Sequence, residues 1–307
     1  MKGRGGKVYL EKVENSRYRI EVNLHGGTLE SVYDKKTGRE LLWQGAHDSW
    51  KNKDVVIFPF VARLKDKTYT YKGESYSLDN HGLARYDDFT VLSRTRYSLT
   101  LCYRSSVDTL SRYPFEFTLY LTYELAADSL SVSMQIENRD AAPLYFGAGF
   151  HPAYKIDCTH GRDADDISGN SVVFDGVQSL TRYVLDESGS FIVREEPAVL
   201  KEIPLSKSLF EKEKTLIYGG ATGKITLKLR SGNSIEYDMR GAPYLALWSY
   251  ERRGGFVCVE PWWGLPDFAA CDSDISLKKG INTLEGFKTF ECGYKVKYNF
   301  GGESNDK

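Results

Sequence analysis

The chain of 307 residues lacks most of the features that would place it in a specialised class. Its longest apolar run, residues 55–62, is far short of the roughly 20 residues needed to span a bilayer as a helix, so no membrane partner is expected. The first residues, MKGRGGKVYLEK, contain no apolar core of a signal peptide, and a cytoplasmic location is the expectation. Five cysteines (Cys102, Cys158, Cys258, Cys271 and Cys292) are scattered, odd in number and never spaced CxxC. That excludes a disulfide framework and fits a reducing compartment. Charge of neither sign dominates. A formal net charge of −1 leaves no electrostatic footprint for nucleic acid.

Chemical signatures are missing as well. Gly219-Gly220-Ala221-Thr222-Gly223-Lys224 has neither the P-loop spacing nor a hydroxyl residue after the lysine. Cys158, His160, Asp163, Asp165 and Asp166 match no zinc or EF-hand pattern. There is no GxSxG. Linkers, low-complexity tracts and repeats are absent too, so the expected organisation is a single domain over residues 1–307, with a core of about 8–300 and frayed termini. The polar stretch 158–170 reads as a long loop.

What the chain does have is a period of two. Tyr97, Leu99, Leu101 and Tyr103 alternate with polar residues, as do Phe115 to Tyr123, Leu130 to Ile136, Ile225 to Leu229 and Tyr294 to Phe300. Alternation of this kind marks antiparallel strands with one face on a core. Gly26-Gly27, Lys72-Gly73, Gly219-Gly220 and Lys279-Gly280 supply turns between them. No long amphipathic helix is present, only a possible helical turn around residues 204–212. The fold class is all-β, a sandwich or barrel.

Set into apolar segments are four polar residues: Arg63 in FPFVARL, His81 in NHGLAR, His151 in GFHPAY and Glu260 in VCVEPWWG. Only five histidines occur in the chain. A buried charge or imidazole without a partner costs several kcal/mol, so such residues are paired, ligated or functional. Pro152 holds His151 in an extended conformation, which aims an imidazole suited to acid/base chemistry. Glu260 reads as a carboxylate at a strand end beside Trp262 and Trp263, where exclusion of water would tune its pKa. The structural alternatives are a satisfied core histidine for His151, a turn histidine for His81, a surface pair for Arg63 and a buried salt bridge from Glu260 to Arg63 or Arg85. Arg85 itself reads as structural.

The ordered series LESVYDKKTGRELLW, FPFVARL, YKGESYSLDNHGLAR, RYPFEFTLYLTYEL, GFHPAY, YLALWS and VCVEPWWG resembles the aldose 1-epimerase (galactose mutarotase) family, closest to its bacterial branch with an E-P-W-x-G motif. The resemblance runs from about Leu24 to Phe300. It implies a galactose-mutarotase-like supersandwich of antiparallel sheets. It implies an isomerase that interconverts the α and β anomers of a free aldohexose, with Glu260 as general base, His151 as general acid, and His81 and Arg63 holding the sugar. No metal or organic cofactor is implied. Many relatives bind the sugar with an Asp from a later strand. Here that region offers only Glu211 or Glu213, with Asp267 as a weaker candidate. That departure leaves the sugar open. The alternatives are a hexose-6-phosphate 1-epimerase with Arg63 and Arg85 on the phosphate, a non-catalytic sugar-binding protein, and a glycoside hydrolase. The last ranks lowest, because it needs two flanking carboxylates.

Overall fold

The computed structural model describes residues 9–46, 49–158, 166–250 and 255–301. Within them the alternating segments are antiparallel strands, as the period of two requires. Ser129–Asn138 pairs with Phe117–Leu125 on one side and Thr289–Asn299 on the other. Their inward set, from Leu119 and Leu121 to Met134, Ile136, Tyr294 and Val296, is fully buried. These strands belong to one sheet of 15, which runs from Val56–Ile57 at one edge to Thr90–Arg94 at the other. A second sheet of four, starting at Leu10–Glu14 and ending at Arg39–Glu40, sends Val13, Tyr18, Ile20, Val22, Leu29 and Val32 into the same main apolar cluster.

Helix is confined to short pieces. Lys207–Glu213 falls on the expected helical turn, with the Ser206 side chain accepting from the Leu209 amide. The helix Val107–Arg112 gives no period in the sequence. It starts because Ser106 and Thr109 form a reciprocal capping box. No helix among the described residues is long and apolar enough to cross a membrane. Parts of the expected loop 158–170 and the tail after Gly301 lie outside the described residues.

Two details position the cleft. First, Phe256–Trp263 is buried at every position. The strand therefore does not end on Glu260, as the sequence pattern indicated, but runs three residues further. Tyr244–Trp248 pairs along one side, with Ala246 opposite Glu260. Second, the other side is paired by two short strands in one continuous register. Gly149 lies opposite Trp262 and Ala153 opposite Cys258. That register sets His151 directly across from Glu260. Pro152 and Pro261 have no N–H to give, so the ladder opens at this point while the two chains stay adjacent. Gly149 allows the approach: a Cβ there would meet Trp262 Cδ1 at 2.8 Å and the Pro261 carbonyl at 3.0 Å.

Candidate active site

Strand alternation puts Cys258, Glu260 and Trp262 on one face of Phe256–Trp263, while Val257, Val259 and Trp263 join the main core. The first face looks into a cleft of about 290 Å³. His151, Glu260, His81, Arg63, Arg85, Trp50, Trp248, Trp262 and the hairpin turn Ser188-Gly189-Ser190 line it. All four sequence-selected residues thus border one cavity. A larger open groove of about 600 Å³ crosses the sheet face at Thr100, Tyr120 and Gln135, but it brings no histidine together with a carboxylate.

His151 Nε2 stands 3.4 Å from Glu260 Oε2. The indole Nε1–H of Trp262 donates to the same Oε2 at 3.2 Å. Glu260 Oε1 and His151 Nδ1 are buried without a hydrogen-bond partner among the described residues. Trp50 stacks on the His151 ring at 4.9 Å between centroids, and Trp248 meets it edge-on at 5.6 Å. Burial in this aromatic box lowers the His151 pKa to about 3, with the Arg85 charge adding to the effect. Burial likewise pushes the Glu260 carboxyl well above its usual range, against the Trp262 hydrogen bond, and the Asp54 charge raises it further. Ordinary pKa values would leave Glu ionised and His partly charged near neutrality. Burial works against both charged forms, shifting Glu260 toward the neutral carboxyl and His151 toward the neutral imidazole, an arrangement in which the pair shares one proton.

His81 lies in a left-handed turn, with φ at 65°, followed by Gly82. A Cβ on Gly82 would sit 2.6 Å from the Phe58 carbonyl oxygen, so that position tolerates only glycine. The turn is locked by the His81 amide donating to the Ala62 carbonyl at 2.8 Å and the Ala62 amide donating to His81 Nδ1 at 3.2 Å. Burial first, then the nearby His151, Arg85 and Arg63, holds its pKa well below the ordinary value. With Nδ1 accepting, the neutral ring carries its hydrogen on Nε2.

Arg63 departs from the reading as a charge on a buried strand end. The strand there is only Val56–Ile57, Ala62 turns the chain at φ 52°, and Arg63 is exposed at the cleft rim. Arg85, read as structural, lines the cleft as well, and neither guanidinium has an ion-pair partner among the described residues. The three carboxylates considered as substitutes for the family's sugar-binding Asp are engaged elsewhere. Glu213 pairs with Arg182 and Glu211 with Lys207. Asp267 is buried against Lys278 Nζ, 2.8 Å from each carboxylate oxygen, and accepts the Lys65 amide at 2.9 Å. It buttresses the Arg63 segment instead of facing the cleft. Trp248 and Trp262 border the cleft, whereas Trp263 packs in the core.

Sequence reasoning missed Trp50, Asp54 and the Ser188–Ser190 turn. Trp50 sits in the polar string HDSWKNKD, and Ser188 and Ser190 in an ordinary turn sequence, so neither carried a signal. Asp54 is buried and accepts the Leu29 amide at 3.0 Å and the Val55 amide at 2.8 Å. The His151 backbone N–H also stabilises its carboxylate, yet burial pushes its pKa up to about 6. It thereby ties the His151 main chain to the four-stranded sheet. An Asp before Val-Val-Ile-Phe does break an apolar run, and that was the available clue. For a metal, the only grouping of three or more donor residues among those described is His151, Cys258 and Glu260.

A family model described as aldose 1-epimerase matches residues 10–187. The chain is 26% identical over 267 residues to the chromosomal protein LacX of Lactococcus lactis subsp. lactis, covering 83% of this chain and 87% of that one. Among solved structures, a galactose mutarotase related enzyme from Lactobacillus acidophilus superposes with a TM-score of 0.89 at 28% identity, covering 96% of this chain and 99% of the other. A galactose mutarotase-like protein from Lactobacillus casei gives 0.88 at 27% identity, covering 95% and 100%. The strand architecture is the galactose-mutarotase-like fold of these neighbours. With more than half its length matched by the family model, the chain belongs to the aldose 1-epimerase family.

Proposed function

We propose that the protein interconverts the α and β anomers of a free aldohexose by acid/base ring opening and closure, with Glu260 as base and His151 as acid. The observation that carries this reading is the His151–Glu260 pair, 3.4 Å apart across two strands at the wall of one cleft. Ring opening takes a proton from the C1 hydroxyl and gives one to the ring oxygen, and closure reverses both transfers. A pair holding one proton matches that requirement, because each half-cycle removes one proton and returns one. A sugar hydroxyl donating to the unpartnered Glu260 Oε1 stabilises the carboxylate. That favours the pair's single proton on His151, ready for the ring oxygen. His81 Nε2–H is a fixed donor for a sugar oxygen, and Trp50, Trp248 and Trp262 offer apolar faces for its C–H groups.

The test is anomer exchange, followed by polarimetry or NMR, with α-glucose and α-galactose. Acceleration above buffer is expected, and a rate equal to buffer with every aldose tried contradicts the proposal.

A second reading, a hexose-6-phosphate 1-epimerase, is favoured by one observation: two guanidiniums, Arg63 and Arg85, border the cleft without carboxylate partners among the described residues. Arginine pairs suit a phosphate dianion. Comparing exchange on glucose 6-phosphate with exchange on glucose decides between them. A higher kcat/KM for the phosphate ester assigns the substrate to that class without altering the acid/base pair.

A further inference from the structure

Cys258 has no part in the sugar chemistry and packs with Ala153 and Phe256 instead of lining the cleft, yet it lies two residues before Glu260 on the same face of that strand. Donor atoms of His151, Cys258 and Glu260 all lie within 4.8 Å of one another, and the three residues are buried. Buried polar atoms are normally satisfied by hydrogen bonds, but His151 Nδ1 and Glu260 Oε1 have no hydrogen-bond partner among the described residues. The cluster is therefore polar, desolvated and short of partners.

Geometry defines what would fit. In tetrahedral zinc sites the bonds are about 2.0–2.1 Å to imidazole nitrogen, 2.0–2.2 Å to carboxylate oxygen and 2.3 Å to thiolate sulfur. Two such N and O ligands on one ion then stand about 3.4 Å apart, and N and S about 3.6 Å apart. The His151 Nε2–Glu260 Oε2 separation is already 3.4 Å. The sulfur, within 4.8 Å, needs to close by at most about 1.2 Å, which lies within the reach of a side-chain rotation. A set of one nitrogen, one sulfur and one oxygen suits zinc over calcium or magnesium, which take oxygen ligands. Three protein ligands leave the fourth position to water on the cleft side.

We propose that His151, Cys258 and Glu260 form a latent zinc site, and that zinc bound there blocks the cleft by occupying the acid/base pair. Binding forms a Zn–S bond as the Cys258 thiol gives its proton to solvent; no oxidation or reduction is involved. Inhibition rests on the anomerase reading given above, whereas the metal site itself does not.

The experiment separates the two. Protein stripped with EDTA is titrated with zinc by calorimetry and, in parallel, with cobalt(II) followed by absorbance. Expected are one zinc per chain and a thiolate-to-cobalt charge-transfer band in the near ultraviolet. Cys258→Ser removes the band and weakens zinc binding by at least about 10- to 100-fold. Absence of the band in the wild-type chain overturns the site, and this needs no variant. Unchanged zinc affinity in folded Cys258→Ser overturns it as well. The glucose anomer-exchange rate is measured on the same samples, and loss of exchange on adding zinc with recovery on adding EDTA is expected. Exchange that persists with zinc bound overturns the blocking role. Exchange absent even after EDTA treatment defeats the anomerase reading on this sugar while leaving the optical result to judge the metal site.

Discussion

Replacing His151 by Gln should change how stability depends on pH more than it changes stability at neutral pH. The folded chain holds the imidazole at a pKa of about 3, because burial beside Trp50 and Trp248 penalises its charge. The unfolded chain returns it to about 6.5. A folded pKa below the unfolded one means that stability is fully present above pH 6.5 and is lost as pH falls toward the folded value. Each pH unit in that window removes about 1.4 kcal/mol, so going from pH 6.5 to about 4.5 removes about 2–3 kcal/mol through this residue alone. His81 contributes with the same sign. Glu260 acts oppositely: its folded pKa is raised, so its contribution is present below the ordinary carboxylate value and fades as pH rises. Both remain in the variant, so the difference between the two proteins reports His151 together with its coupling to His81 and Glu260. The assay is urea unfolding of EDTA-treated wild type and His151→Gln across this range. The wild-type advantage should shrink by about 2–3 kcal/mol as pH falls. A difference that stays flat would show that the imidazole titrates as if solvated, and the one-proton description of the pair would fail.

Two further outcomes follow from the same structure. The kcat/KM of anomer exchange should stay level as pH falls through 6.5, because His151 in the folded cleft does not gain a second proton for the pair until about pH 3; an acid limb centred at 6.5 in a pH–rate profile refutes this. Lys278→Met should lower unfolding free energy by about 3–5 kcal/mol, since it leaves the buried Asp267 carboxylate without its cation beneath the Arg63 segment. A loss below about 1 kcal/mol in chemical denaturation would show that water reaches Asp267.

The strands were legible because their side chains obey a simple alternation, as in Leu130 to Ile136. The four cleft residues were legible for a different reason: each breaks an apolar segment, and their motifs carry a family resemblance. Three things were not legible. The register that sets His151 opposite Glu260 depends on strands more than a hundred residues apart. The inverted protonation preference comes from burial, which no motif encodes, and the free residues' pKa values point the other way. The His151-stacking role of Trp50 arises from a polar loop brought over the cleft by the fold. Arg63 shows the reverse error, since a charge after FPFVA looked like a buried strand end while a turn at Ala62 carries it out to the rim.

In the proposed mechanism Glu260, paired with His151, performs the proton transfers. The most direct test is the anomer-exchange rate of Glu260→Gln, measured by NMR on metal-free protein whose fold is verified by circular dichroism. Gln keeps the shape and one acceptor but cannot take the C1 hydroxyl proton. The rate above buffer should fall by about 100- to 10,000-fold. Full wild-type activity in the folded variant would contradict the assignment of the base and, with it, the proposed mechanism.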